Sequence, residues 1–179
     1  MGAPRIEIVR GDITDQVVDA VVNAANTAME PGGGVDSAIT RAAGTAALEQ
    51  RRAVARERGV PPLATGDAVA TVAGDLSARW IIHTAGPVFS GNDRDPELLA
   101  SCHIRSLEVA DALGASSVAF PAISCGIYGY PADLAAPIAL ASVAGADTEV
   151  SVVRFVLFDE QTYGIFRAAG IPFAVSDED

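Results

Sequence analysis

The most informative feature of this sequence is a glycine-rich stretch between a predicted strand and a predicted helix. Residues 23–44 read NAANTAMEPGGGVDSAITRAAG, in which two side-chain amides precede three consecutive glycines and a carboxylate. Glycines let the backbone approach a ligand closely, and the helix predicted after them begins with free N–H groups and a positive dipole end. That combination favours a bound phosphate. Asp36 opposes an anion in that place, so it either serves a chemical role or is an ordinary first-turn carboxylate stabilised by the helix dipole.

Apolar segments alternate with amphipathic ones along the rest of the chain. The predicted strands are 5–9, 17–22, 66–72, 80–84, 117–123 and 152–158, and the predicted helices are 35–58, 96–113, 132–143 and 161–169. This alternation is typical of an α/β layer structure with a mostly parallel central sheet. Pro137 should delay or kink the third helix. Without a linker or repeat, residues 1–179 form one domain with a core at about 6–170 and a frayed acidic tail at 176–179.

Charge and composition exclude several classes of function. The net charge is −11 and the chain has no Lys, whereas duplex nucleic acid is bound mainly by Lys and Arg on phosphates. No apolar run reaches the roughly 18 residues that span a bilayer, and the N-terminus lacks the apolar core of a signal peptide. We therefore expect a soluble, cytoplasmic protein that binds neither duplex nor membrane. No heptads or large apolar stripe call for an oligomer, so a monomer is expected.

The cysteines and histidines do not form a recognisable metal site. Cys102, Cys125, His83 and His103 show no ligand spacing of a known kind, so we expect reduced, mostly structural cysteines and no metal. A nucleophilic Cys125 would need one of the histidines as its base, and both lie in apolar predicted elements. The motifs of a P-loop and of a Rossmann dinucleotide site are absent as well.

Four segments directly follow predicted strands. They are 11–14 (GDIT), 23–36, 124–131 (SCGIYGYP) and 158–159. Ligands of open α/β sheets bind beyond the carboxyl ends of the strands, so these segments are predicted to share one site. Each segment alone could be a turn or a helix cap.

These motifs, taken together, resemble a known family. GDIT, NAAN with GGGVD and RAAG, HTAGP, and FPAISCGIYGYP occur in the order and spacing of a macrodomain, especially of the MacroD-type branch of mono-ADP-ribosyl hydrolases. The match extends from about Ile6 to Phe166. It implies a three-layer α/β/α sandwich with a mixed central sheet and one deep cleft for ADP-ribose.

The resemblance also implies which residues contact the adenine and the diphosphate. Asp12 would accept a hydrogen bond from the adenine amino group, the N–H of Ile13 would serve the ring, and Phe158 would lie near its face. One wall around the diphosphate would contain Gly34 and Val35. The other wall would consist of Ser124, Cys125, Gly126, Ile127 and Tyr128, with Tyr128 also packing on the distal ribose.

The resemblance also implies two residues that act on the distal ribose and one more residue that binds the substrate. Asn26 would hold a ribose hydroxyl, and Asp36 would face the ribose and its water as the catalytic carboxylate. Asn23 is assigned to substrate binding. Pro31 replaces the first of four usual glycines, which should make the loop less mobile, and Thr40 stands where many members carry His.

The resemblance predicts a hydrolase that removes mono-ADP-ribose from acidic side chains of proteins and deacetylates O-acetyl-ADP-ribose. Its partners would be ADP-ribose and mono-ADP-ribosylated proteins, with no cofactor. Two alternatives stay open: a reader module that binds ADP-ribose without turnover, and a hydrolase of ADP-ribosylated nucleic-acid ends. Attack by water at the anomeric carbon or at the acyl carbon is also open at this stage.

Overall fold

The computed structural model describes residues 2–173, so the predicted frayed tail at 176–179 lies outside the described residues. Within this range the chain forms six strands and five α-helices. The strands are β1 (Arg5–Arg10), β2 (Ala20–Ala25), β3 (Ala68–Val72), β4 (Trp80–Ala85), β5 (Ser117–Phe120) and β6 (Val152–Leu157). The helices are α1 (Val35–Ala43), α2 (Thr45–Arg58), α3 (Arg94–Leu113), α4 (Ala132–Ala144) and α5 (Glu160–Gly170). None of these helices is both long and apolar enough to cross a membrane.

The sheet is mixed, as predicted. Its strand order is β1-β6-β5-β2-β4-β3, in which β3 runs antiparallel to β4 and all other neighbours are parallel. The carboxyl ends of the five parallel strands therefore lie along one edge of the sheet. The loops that follow those strands are brought together at this edge.

Helices cover both faces of the sheet, which confirms the three-layer α/β/α architecture. Neighbouring strand residues point to opposite faces. Val21 accordingly packs in the cluster that contains Ile39 of α1, on one face. Val22 packs in the larger cluster with Leu99 of α3 and Leu140 of α4, on the other.

The prediction of one helix over 35–58 was wrong. The helix is broken at Gly44, whose φ of 85° and ψ of 179° leave the helical region. A Cβ at Gly44 would lie 2.6 Å from the Asp75 carboxylate, and the N–H of Asp75 donates to the carbonyl of Ala43. The apolar period continues through RAAGTAA, so the pattern did not reveal a break that a distant loop requires.

Smaller differences concern proline and the strand ends. α4 begins at Ala132, so the expected delay of its start by Pro137 was wrong. Pro137 lies on the exposed side of α4, where water can solvate the carbonyl that loses its partner. β5 ends at Phe120 rather than at 123, because Pro121 has no N–H to continue the ladder.

Candidate functional site

One large cavity opens at the carboxyl edge of the sheet. Its volume is about 590 Å³, and it is lined by residues from all four segments predicted to share a site. Gly86, which directly follows β4 and lies in the HTAGP motif, contributes a fifth segment that the sequence analysis did not assign to the site. The predicted convergence at this edge is therefore confirmed.

Among residues 2–173, no Lys or Arg lines the cavity. Its charged side chains are the carboxylates of Asp12, Asp36 and Asp159. An anionic ligand would therefore have to be held by backbone N–H groups and helix dipoles. Because no cation in the described lining pairs with them, the carboxylates that line the cavity can stabilise positive charge that develops on a bound ligand.

Asp12 and Ile13 line the cavity after β1, together with Phe158 after β6. Asp12 caps a short 3₁₀ turn, since its Oδ1 accepts from the N–H and the hydroxyl of Thr14 at 2.9 and 2.7 Å. The Thr14 side-chain hydrogen bond, then its backbone N–H, lowers the pKa of Asp12 below the ordinary value. Phe158 is exposed, which gives the rim of the cavity an apolar face.

The first wall of the cavity is the loop from Asn26 to Gly34 with the start of α1. Gly34 has a φ of 63°, which turns the chain into the helix. The N–H groups of Val35, Asp36 and Ser37 precede the first helical bond, which runs from the N–H of Ala38 to the carbonyl of Gly34, so they have no acceptor within the helix. The loop reaches across the cavity, because a Cβ at Gly33 would lie 2.9 Å from Cδ1 of Ile127.

The second wall is the loop from Ser124 to Tyr130. It is closed by backbone bonds from Tyr130 to Ser124 and from Gly129 to Gly126, at 2.9 and 3.0 Å. Among the described residues, the N–H groups of Gly126, Ile127 and Tyr128 make no hydrogen bond, so they remain available to a ligand. This wall thus offers a run of backbone donors to the cavity.

Gly86 provides the space in which the second wall sits. A Cβ at this position would lie 2.2 Å from Oγ of Ser124 and 2.7 Å from Cγ2 of Ile123. Ser124 itself is buried with a φ of 65°, and its Oγ has no partner among the described residues. The position of the second wall therefore depends on a residue that the sequence analysis did not select.

Cys125 lines the cavity but lacks the features of a nucleophile. Burial raises the pKa of its thiol to about 11, so the thiol stays protonated near neutral pH. Neither histidine acts as its base: His83 contacts Asn23 and Thr71, and His103 stacks on Phe120. The expected inert, reduced cysteine fits this environment.

Asn26 and Asp36 come together at the glycine loop. A Cβ at Gly32 would lie 3.4 Å from Nδ2 of Asn26 and 3.6 Å from Oδ2 of Asp36. Asn26 shapes the loop as well, because its amide donates to the carbonyl of Glu30 at 2.7 Å and accepts from that residue's N–H at 3.2 Å. Both residues line the cavity, as predicted, although Asp36 is only 2 % exposed.

Asp36 accepts five hydrogen bonds. Arg51 donates twice, from Nη1 to Oδ1 at 2.6 Å and from Nη2 to Oδ2 at 2.9 Å. Asn23 and Thr40 donate to Oδ1, each at 3.1 Å, and the N–H of Gly32 donates to Oδ2 at 3.3 Å. Burial alone raises the pKa of Asp36, but the hydrogen bonds and charge of Arg51 outweigh it, so the pKa lies below its ordinary value.

Asn23 lies behind the wall rather than in the cavity. It is fully buried, is absent from the lining, and donates both to Asp36 and to Nδ1 of His83, each at 3.1 Å. Burial and the charge of Arg51 lower the pKa of His83 to about 3, so this ring is neutral. Because Nδ1 accepts from Asn23, Nε2 carries the proton and donates to Thr71 at 2.8 Å. Asn23 thus supports Asp36 and does not touch the space for a ligand.

Sequence reasoning also missed Arg51. This residue is 2 % exposed and is packed against Asp36 from α2. A signal was present, since Arg51 lies one helical turn after the apolar Ala47 and thus on the same face. The position of Arg51 on the buried face of α2 can be interpreted only when the structure shows that the buried carboxylate of Asp36 lies opposite this residue.

The layered fold and this cavity define a class: an α/β/α domain that binds its ligand at the carboxyl edge of a mixed sheet. The model of the Macro domain family matches residues 22–139. The chain belongs to the macro domain family, which confirms the resemblance of its motifs.

Known members are similar over nearly the whole chain. A macro domain-containing protein of Streptomyces coelicolor is 53 % identical over 163 residues, which are 91 % of this chain and 96 % of that protein. An O-acetyl-ADP-ribose deacetylase of Klebsiella pneumoniae is 48 % identical over 165 residues, 90 % of this chain and 93 % of that protein. The structure of the Oceanobacillus iheyensis macrodomain with ADP superposes with a TM-score of 0.90 at 40 % identity, covering 94 % of this chain and 90 % of that one.

Proposed function

We propose that this macrodomain binds ADP-ribose and hydrolyses esters on its distal ribose. Its substrates are mono-ADP-ribosylated acidic side chains of proteins and O-acetyl-ADP-ribose. The observation that carries the proposal is that Asn26 and Asp36 both lie next to Gly32 in one cavity whose described lining residues include no cation. The similarity to a protein named O-acetyl-ADP-ribose deacetylase supports the same class of reaction.

The cavity offers a complementary group for each part of ADP-ribose. Thr14 bonds to Oδ1 of Asp12, which leaves Oδ2 to accept from the adenine amino group. The diphosphate lies between the first turn of α1 and the free N–H groups of Gly126 to Tyr128. The distal ribose then reaches Asn26, whose amide binds a hydroxyl, and Asp36.

Asp36 contributes a fixed negative charge next to the reacting centre. Water attack at the anomeric carbon breaks the bond from that carbon to the carboxylate oxygen and builds oxocarbenium-like positive charge. A nearby carboxylate stabilises that charge and orients the attacking water. Attack at the acyl carbon breaks the acyl–oxygen bond instead and leaves the ribose oxygen in place. After attack at the anomeric carbon the water oxygen ends in ADP-ribose, and after attack at the acyl carbon it ends in the carboxylate. In both routes one proton of the water passes to the leaving oxygen.

The direct test is the release of ADP-ribose from a glutamate-modified protein by the wild type and by Asp36→Asn. Binding of ADP-ribose to both is measured by calorimetry. We expect release by the wild type, and a loss of about 100-fold or more in the variant with retained binding. In H₂¹⁸O, label in the released ADP-ribose indicates attack at the anomeric carbon, whereas label in the glutamate carboxylate indicates attack at the acyl carbon.

The same assay separates the alternatives. Tight binding of ADP-ribose without release from any substrate would contradict the proposal and indicate a reader module. Faster release from an ADP-ribosylated DNA end than from protein would assign the nucleic-acid substrate instead. A parallel reaction with a chelator tests the expectation that no metal takes part.

A further inference from the structure

We propose that Arg51 is a positioning residue that holds the Asp36 carboxylate ionised and in one orientation at the cavity wall. The inference deepens the proposed function and rests on it. Arg51 does not line the cavity and so does not touch the ligand. It acts from behind the wall, through the carboxylate that does.

Arg51 and Asp36 form a planar, bidentate ion pair, which we call the clamp. Both Nη atoms of Arg51 bind the two carboxylate oxygens of Asp36, at 2.6 and 2.9 Å, and both side chains are 2 % exposed. Paired guanidinium–carboxylate bonds of this kind fix the plane of the carboxylate as well as its distance. Removing one partner would leave an uncompensated buried charge, so the two residues depend on each other.

Arg51 also connects Asp36 to Asn26. Its Nη2 donates to the carbonyl of Glu30 at 3.1 Å, and Asn26 donates to that same carbonyl at 2.7 Å. Its Nη1 donates to Thr40 at 3.2 Å. One buried guanidinium therefore contacts the catalytic carboxylate, the helix that carries it and the loop that carries the catalytic amide.

The five donors restrict what Asp36 can do in the reaction. A carboxylate has about four lone-pair sites, so these donors already occupy it. The weakest by distance is the N–H of Gly32, at 3.3 Å, which belongs to the loop that lines the cavity. Water or a ribose hydroxyl can replace that donor without disturbing Arg51. Asp36 consequently orients water and stabilises positive charge. The proton of the attacking water goes to the oxygen of the leaving group, which is the carboxylate after attack at the anomeric carbon and the ribose oxygen after attack at the acyl carbon.

The groups facing Asp36 predict its behaviour with pH. They are Arg51 from α2, Asn23 from β2 with His83 of β4 behind it, Thr40 on its own helix and the N–H of Gly32. The titratable groups among them are Arg51 and His83. The wild-type kcat should therefore show no acid limb from Asp36 above about pH 4, its ordinary pKa.

The experiment compares Arg51→Gln, Arg51→Lys and the matched control Arg52→Gln. Arg52 is the next residue, but it is half-exposed, and the ion pair that it forms within the described part of the chain is with the carboxylate of Glu30, at 3.6 Å. In Arg51→Gln we expect ADP-ribose affinity within about threefold, kcat lowered by about 10- to 100-fold, and a new acid limb. In Arg51→Lys we expect a smaller loss of kcat, because the positive charge remains but the bidentate hydrogen bonds of the guanidinium are lost. Arg52→Gln should match the wild type throughout.

Unchanged kcat and pH profile in a folded Arg51→Gln would overturn the proposal. If that variant does not fold, the same comparison is made on Arg51→Lys. Independently of any variant, ¹³C NMR of the Asp36 carboxyl in the wild type must show titration below about pH 3.9, the ordinary aspartate value, and a higher midpoint would overturn the proposal. Isotope labelling of the histidine rings in a second sample lets NMR follow the protonation of His83 separately from that of Asp36. Absence of all wild-type turnover would refute the proposed function, while the carboxyl titration would still test the clamp.

Discussion

The two walls of the cavity are held in different ways. The first wall, from Asn26 to Asp36, is held by charged and polar side chains that are buried behind it, above all Arg51. The second wall, from Ser124 to Tyr130, is held by backbone bonds and by the space that Gly86 leaves for Ser124. The difference shows that the wall assigned to chemistry depends on electrostatics, whereas the wall assigned to binding depends on backbone shape.

The largest effect should come from removing the carboxylate of the first wall. Asp36→Ala leaves Arg51 as a buried, unpaired charge, so we expect a loss of about 3–5 kcal/mol in the free energy of unfolding and no detectable turnover. Urea denaturation and the ADP-ribose release assay measure the two effects.

A paired variant separates stability from activity at the same wall. Asp36→Leu combined with Arg51→Met removes both charges, so most of the lost stability should return while turnover stays absent. If this double variant is as unstable as Asp36→Ala, the charges do not hold the wall in the way described.

The next effect is the response of both walls to acid. Burial lowers the pKa of His83, behind the first wall, to about 3 and that of His103, stacked on Phe120 at the base of the second, to about 4. Both histidines are neutral in the folded protein and take up a proton on unfolding below about pH 6.5. Stability should therefore fall as the pH drops from about 6.5 to 4, by up to about 1.4 kcal/mol per pH unit for each histidine.

His103→Leu distinguishes the two contributions. Thermal or urea unfolding between about pH 5.5 and 6.5, above the range in which the aspartates begin to titrate, should show about half the wild-type slope in this variant, because of the two histidines only His83 still contributes. A slope that does not change would mean that His103 already binds its proton in the folded state.

A steric change should disturb the second wall alone. In Gly86→Ala the new methyl group would collide with Ser124 and Ile123, so we expect a loss of about 1–3 kcal/mol and weaker ADP-ribose binding. Gly126→Ala is the control for stability, since nothing lies within 4 Å of its Cβ position. Equal stability of the two variants, measured by thermal denaturation, would contradict the role of Gly86.

The smallest effect should come from the contact between the walls. Ile127 is 81 % exposed and lies against Gly33, so Ile127→Ala should change stability by less than about 0.5 kcal/mol. Binding of ADP-ribose should weaken by no more than about tenfold, as measured by calorimetry, since only a partly buried apolar side chain is lost. A large loss of stability would show that the two walls support each other in the free protein.

Sequence patterns alone were enough to predict the layers of the fold and the edge at which the site lies. The apolar runs VVDAVV and VVRFVLF predicted buried strands, and the motifs directly after them predicted loops at one edge. The segments that contain Asp12, Asn26 and Asp36 were found in this way, because each lies near a strand end or a helix start, and the roles of these residues came from the resemblance. The mixed sheet came from the resemblance of the motifs, and the observed strand order confirms it.

The groups that lie behind the site became evident only in the three-dimensional fold. Gly44 breaks a helix because Asp75, 31 positions away in sequence (75 − 44), needs its space, and Gly86 is required because Ser124 lies against it. Asn23 and Arg51 are buried partners of Asp36 from two different layers of the sandwich. Local sequence patterns report which face of an element is apolar, but they do not report which distant side chain meets it. The carboxylate that we propose to be catalytic was therefore predictable from the sequence, whereas the Arg51 clamp that holds it was not.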